Sequence, residues 1–139
     1  MKLELPLAAE QLLPHRLPMR LVDRLLSSDG QQGDVEATVR AECPLVDERG
    51  FLEDVALVEL VAQAYAAFRG HKDLLTGVPV RKGLLVGIKK LSVLESARVH
   101  DCLRIEVETQ AELDGFALAE GRIWRQGTLL ARSEIQVWI

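Results

Sequence analysis

Cysteine is scarce: Cys43 and Cys102 are the only two in 139 residues. They sit in unrelated contexts without metal-ligand spacing or a neighbouring His pair, which excludes a disulfide-stapled scaffold and a zinc centre and reads them as structural thiols. The amino terminus, Met1-Lys2-Leu3-Glu4-Leu5-Pro6, lacks a continuous apolar core followed by a small-residue cleavage site, so a secretory signal is not expected and a reducing, cytoplasmic setting is. There is no basic stripe. Net charge is -4, and Lys and Arg are scattered, which argues against nucleic acid as a partner. The longest apolar run, Val55 to Phe68, is interrupted by Glu59 and Gln63 and falls short of the roughly 20 residues of a membrane span. Internal repeats, low-complexity tracts and linker-like shifts are missing too, so residues 1–139 read as one domain with enough chain to bury a core.

What is present is an order of elements. Ala8 to Leu13 suits one or two helical turns before Pro14, because proline disfavours helix in the residue preceding it, and Pro14-His15-Arg16-Leu17-Pro18 reads as a rigid extended connector. Met19 to Ser27 is apolar and tolerant of strand, ending at the turn signal Ser28-Asp29-Gly30. Val35, Ala37, Val39 and Ala41 then alternate with Asp34, Glu36, Thr38 and Arg40, the period of a strand with one wet face. Glu53-Asp54 places negative charge where a helix macrodipole favours it, and Val55 to Phe68 follows without a breaker. Arg69-Gly70-His71-Lys72 offers a cationic last turn and a glycine exit. That helix is apolar around its circumference and must be covered on every side. Four more strands are expected, roughly Lys82 to Leu94, Cys102 to Leu113, Phe116 to Arg125 and Thr128 to Ile139. Two strands, one buried helix and four strands is the α+β order of a hotdog fold, a six-stranded antiparallel sheet wrapped around one central helix.

Two polar side chains interrupt the apolar helix. Glu59 and Gln63 stand at i, i+4, on one face and one turn apart. A buried carboxylate without a partner is costly, so Glu59 must find donors, take up a proton or face a cleft. In a cleft it suits general acid or base work; its structural alternative is a carboxylate bonded to backbone or to an Arg of a neighbouring subunit. Among the histidines, His100 reads as a solvated turn residue and His71 as a partner of the helix C-terminus. His15, fixed between Pro14 and Pro18, suits a positioned imidazole, with a satisfied loop histidine as the alternative.

Leu13-Pro14-His15-Arg16-Leu17-Pro18-Met19-Arg20-Leu21-Val22-Asp23-Arg24 resembles the opening of the bacterial (3R)-hydroxyacyl-acyl-carrier-protein dehydratases, and Val58-Glu59-Leu60-Val61-Ala62-Gln63-Ala64 resembles their central-helix motif. Gly83-Leu84-Leu85-Val86-Gly87-Ile88-Lys89-Lys90 is similar to the strand that follows. The resemblance implies a lyase without metal or cofactor that works at a dimer interface with a helix carboxylate, matched by Glu59, and a loop histidine. The position of that histidine holds Leu45. The Pro-His-x-x-Pro-Met start together with Gly77-Val78-Pro79-Val80-Arg81-Lys82-Gly83-Leu84-Leu85 looks more like the divergent dehydratase-like proteins of aryl-polyene clusters, which lack the loop histidine as well. In that branch His15 is the candidate to replace it.

The activity so implied is dehydration of a 3-hydroxyacyl thioester on acyl carrier protein to the trans-2-enoyl thioester. His15 would be the base, Glu59 would assist the leaving hydroxyl, and a backbone N–H near the helix start would polarise the carbonyl. Since the chain is itself acidic, local basic residues would have to dock the acidic carrier. The acyl chain is expected in a tunnel between the helix face carrying Val55, Leu60 and Ala62 and the strand Gly83 to Ile88, with Gln63, Gly83, Leu84, Val86 and Gly87 as the residues that bind it. Alternatives are a hotdog thioesterase, in which Glu59 alone activates water, and a silent subunit that binds an acyl chain or completes a heterodimer. An uncovered helix flank and sheet edge predict a homodimer or a higher even oligomer.

Overall fold

The structure is a computed structural model that describes residues 3–81 and 83–138. Along the chain come β1 (Leu7–Ala8), a 3-10 turn (Ala9–Gln11), β2 (Arg24–Ser28), β3 (Gln32–Thr38), α1 (Asp54–Leu75), β4 (Leu84–Val93), β5 (Cys102–Leu113), β6 (Phe116–Arg125) and β7 (Thr128–Trp138). All strands join one antiparallel sheet in the order β1-β2-β3-β5-β6-β7-β4. The sheet thus has seven strands where six were expected. The extra one is β1, whose two residues pair with Leu25 and Arg24 and are too few to show a period. The ends expected at Lys82 and Ile139 lie outside the described residues.

The alternation of the sequence becomes the inside and outside of the sheet. Val35, Ala37, Ile105, Val107, Ala119, Ile123, Ile135 and Val137 are buried and face α1, whose Leu57, Val58, Leu60, Val61, Ala64, Tyr65 and Phe68 are buried against them. At roughly 25 cal/mol per Å² of apolar surface removed from water, this core is the main source of stability. Close approach is achieved by small residues: a Cβ on Gly121 of β6 would lie 2.4 Å from Val61 Cγ1.

Two expectations need correcting. The helix does not leave at Gly70 but runs to Leu75, where Thr76 takes the last carbonyls and Gly77, at φ +77°, turns the chain. Gly70 lies inside the helix because the backbone of Leu12 crosses there: an added Cβ would come 2.0 Å from the Leu12 carbonyl oxygen. His71 therefore does not serve the helix end; it is buried, with Nε2 2.9 Å from the Leu3 carbonyl oxygen. Likewise, Met19 to Asp23 is irregular and the strand begins at Arg24. The Leu21 N–H and the Met19 carbonyl are satisfied by a side chain of α1 instead of a neighbouring strand.

Candidate active site

Between Leu12 and Met19 the chain forms a strap along one side of α1. Its shape is held by the Arg16 guanidinium, which donates to the carbonyls of Leu13 at 3.0 Å and His15 at 2.9 Å, and by a turn in which the Met19 and Arg20 N–H groups donate to Arg16 O. Gln63 ties strap to helix. Its side chain is buried; Oε1 accepts from the Leu21 N–H at 2.7 Å, and Nε2 donates to Met19 O at 2.9 Å and to Glu59 Oε1 at 2.9 Å. One amide thus uses both its donors and its acceptor to fix strap and carboxylate together.

This brings His15 Nε2 to 3.8 Å from Glu59 Oε1, with the two side chains 36% and 38% exposed. The His15 Nδ1 is buried without a hydrogen-bond partner among the described residues. Both side chains open into a cavity of about 460 Å³ between the strap, α1 and the start of β4, a size suited to a small molecule or acyl chain. On α1 it is lined by Glu59, Ala62, Gln63, Tyr65, Ala66, Arg69 and Asp73, a stripe at helical spacing.

The expected lining is only partly the observed one. Ala62, Gln63, Gly83 and Leu84 line the cavity together with Leu85. Val86, Gly87 and Ile88 do not: the pairing of β4 with β7 shifts register between Leu85 and Gly87, and Val86 and Ile88 are half exposed. Nor do Val55, which faces outward, and Leu60, which is buried on another side of the helix beside Leu21 and Val39. Tyr65, Arg69, Asp73 and Arg81 were missed. The signal was the continuation of the Glu59–Gln63 stripe through Arg69 and Asp73, hidden by ending the helix too early. Burial pushes the Tyr65 phenol up from its usual range, against the opposing effects of its Thr109 hydrogen bond and the Arg69 charge.

Among the described residues no group of three or more His, Cys, Asp or Glu is placed to hold a metal ion, and no helix is long and apolar enough to cross a membrane. A single antiparallel sheet wrapped round one central helix is the hotdog arrangement. The family model of the ApeP-like dehydratases matches residues 7–139, and the chain belongs to that family. It is similar to the 3-hydroxyacyl-[acyl-carrier-protein] dehydratase FabZ of Natranaerobius thermophilus, 27% identical over 130 residues that cover 91% of this chain and 90% of that protein. Among solved structures it is similar to the dehydratase heterocomplex ApeI:P of Xenorhabdus doucetiae, with a TM-score of 0.87 at 22% identity over 95% of this chain and 90% of that one. The PaaI protein of the E. coli phenylacetic acid degradation operon has a TM-score of 0.66 at 15% identity, covering 83% of this chain and 81% of that one. At such identities these two likenesses show the fold alone.

Proposed function

We propose that the chain removes water from (3R)-3-hydroxyacyl thioesters carried on acyl carrier protein, in fatty-acid or aryl-polyene synthesis, with His15 and Glu59 as its acid–base pair. The observation that carries the reading is the 3.8 Å separation of His15 Nε2 and Glu59 Oε1 at the mouth of the cavity. His15 takes the proton from C2, the C2–C3 double bond forms, and the C3–O bond breaks as the hydroxyl takes a proton from Glu59 and leaves as water. The pair ends as imidazolium and carboxylate, and one proton passed from His15 to Glu59 restores it. Gln63 orients Glu59, while Gly83, Leu84 and Leu85 cover the chain. A thioesterase that relied on Glu59 alone would have no use for an imidazole here.

The protein acts as a dimer of two copies joined along β4. This ten-residue strand is a sheet edge, and it leaves Leu84, Leu85, Val86, Ile88 and Leu91 exposed, an apolar edge of the kind that pairs. Cytoplasmic action accords with the two free thiols, Cys43 and Cys102. Mass spectrometry of the protein incubated with 3-hydroxyacyl carrier protein tests the reading: loss of water from the carrier-bound chain supports it, and release of free acid refutes it in favour of a thioesterase.

A further inference from the structure

The cavity beside His15 and Glu59 meets an ion pair at its other end. Along α1 its wall passes Ala62 and Ala66 and finishes at Asp73, fourteen residues beyond Glu59 on the same helix and so about 21 Å along its axis. The connection between α1 and β4 is tied to this one residue. The Asp73 backbone carbonyl accepts from the Val78 N–H at 2.9 Å, and its carboxylate accepts from Arg81 three times, from the backbone N–H at 3.2 Å, from Nε at 3.4 Å and from Nη2 at 2.7 Å. Gly83, Leu84 and Leu85, which line the cavity, follow closely, so the clamp also sets where β4 starts. The pair has a dry side and a wet side. The Asp73 side chain is 8% exposed and that of Arg81 52%, and both border the cavity, so the guanidinium stands between cavity and solvent.

We infer that the Asp73–Arg81 pair is the end stop of the cavity and sets the longest acyl chain that the protein accommodates in full. The inference rests on the reading of His15 and Glu59 as the reacting end. A methylene that moves from water into the cavity gains up to about fourfold in affinity. One that reaches the pair gains nothing. It must desolvate the exposed guanidinium or push it off a buried carboxylate, and stripping a buried charge of its partner costs more than several methylenes return. An extended chain advances about 1.3 Å per bond, and the Arg81 side chain takes up the last few ångströms, which leaves about a dozen bonds beyond the reacting carbon, an acyl chain of about fifteen carbons. Both residues act on chain length through the shape of the cavity, and neither touches the reacting atoms.

The test uses methyl-ended acyl-pantetheine amides, inert to both dehydration and hydrolysis, in a series from about six to twenty carbons. Affinities are measured by competition calorimetry for the unmodified protein, for Arg81→Ala, and for Asp73→Asn combined with Arg81→Ala, which leaves no unpaired carboxylate to disturb the fold. On the unmodified protein affinity is expected to climb by up to about fourfold per methylene and to stop climbing at about fifteen carbons. In both variants the climb is expected to keep its slope and to run on for about three or four carbons more, the reach of the side chain removed. A slope lost from the shortest chain upward marks a merely structural clamp and overturns the end stop. So does a series without a break on the unmodified protein, a break that stays in place in the double variant, or no binding at any length. Dehydration of 3-hydroxyacyl thioesters is assayed separately. A break that moves without water loss leaves the end stop standing and removes the dehydratase reading, and water loss with an unmoved break does the reverse.

Discussion

Gly70→Ala isolates the contact that places the strap. In an exposed helix interior this change stabilises by about 1 kcal/mol, because alanine is the better helix former. Here the added Cβ would meet the Leu12 carbonyl oxygen at 2.0 Å and the Leu12 carbonyl carbon at 3.0 Å. Both are backbone atoms with no rotamer to escape into, so the strap must move by more than an ångström. Overpacking of this kind costs roughly 3 kcal/mol, which leaves a net loss of roughly 2 kcal/mol after the propensity gain. For a chain of this length that lowers the melting temperature by roughly 7 °C. Leu12 is three residues from His15, and an ångström of misplacement can cost ~10²-fold in rate, so kcat should fall steeply as well. Gly121→Ala is the control. Its Cβ would meet the Val61 side chain at 2.4 Å, away from the strap, so it should lose stability while a folded sample keeps its kcat. Thermal melts and steady-state rates on both variants decide the matter. A Gly70→Ala protein that melts higher and turns over normally would refute the placement of the strap on α1.

Gln63→Leu removes three hydrogen bonds and strands the Leu21 N–H and the Met19 carbonyl; an expected loss of roughly 2 to 3 kcal/mol is read from denaturant unfolding, and an unchanged midpoint would contradict it. Val86→Lys puts a charge on the exposed face of β4 and should convert a dimeric sedimentation mass to a monomeric one; a mass that stays dimeric refutes pairing along this edge. Tyr65 is the only tyrosine, so phenolate absorbance reports it alone, and burial should place its midpoint above the ordinary 10.0 in the folded protein and back near it in urea. The folded state holds that proton more tightly, so this contribution to stability is complete below pH ~10 and is lost as pH rises past the folded midpoint, less so in Tyr65→Phe.

The parts of the fold that follow from a short period were legible in the sequence. The alternation in β3 and β7 and the all-round apolar α1 led to the sheet, its wet face and the enclosed helix. Glu59 stood out as one of two polar residues in the apolar run from Val55 to Phe68, and His15 by its place between prolines. Long-range packing was not legible. Gly70 has the sequence appearance of a helix stop, and only the crossing of Leu12 explains why it is interior. Met19 to Asp23 reads as strand by composition, yet its Leu21 N–H and Met19 carbonyl are bonded to Gln63, 42 residues along the chain from Leu21. Val86, Gly87 and Ile88 were expected at the cavity because an unbroken strand would have carried them along it, whereas the pairing of β4 with β7 shifts register between Leu85 and Gly87 and again between Ile88 and Lys90.

The central claim is that His15 and Glu59 act as one acid–base unit, and a double-mutant cycle on dehydration of 3-hydroxyacyl carrier protein tests it most directly. Rates are measured by mass spectrometry for the unmodified protein, His15→Ala, Glu59→Gln and the double variant, each verified as folded. Each single change should lower the rate by ~10² to 10⁴, and the double variant should be little slower than the slower single one. A His15→Ala protein of full activity, or losses that simply multiply in the double variant, would contradict the pairing.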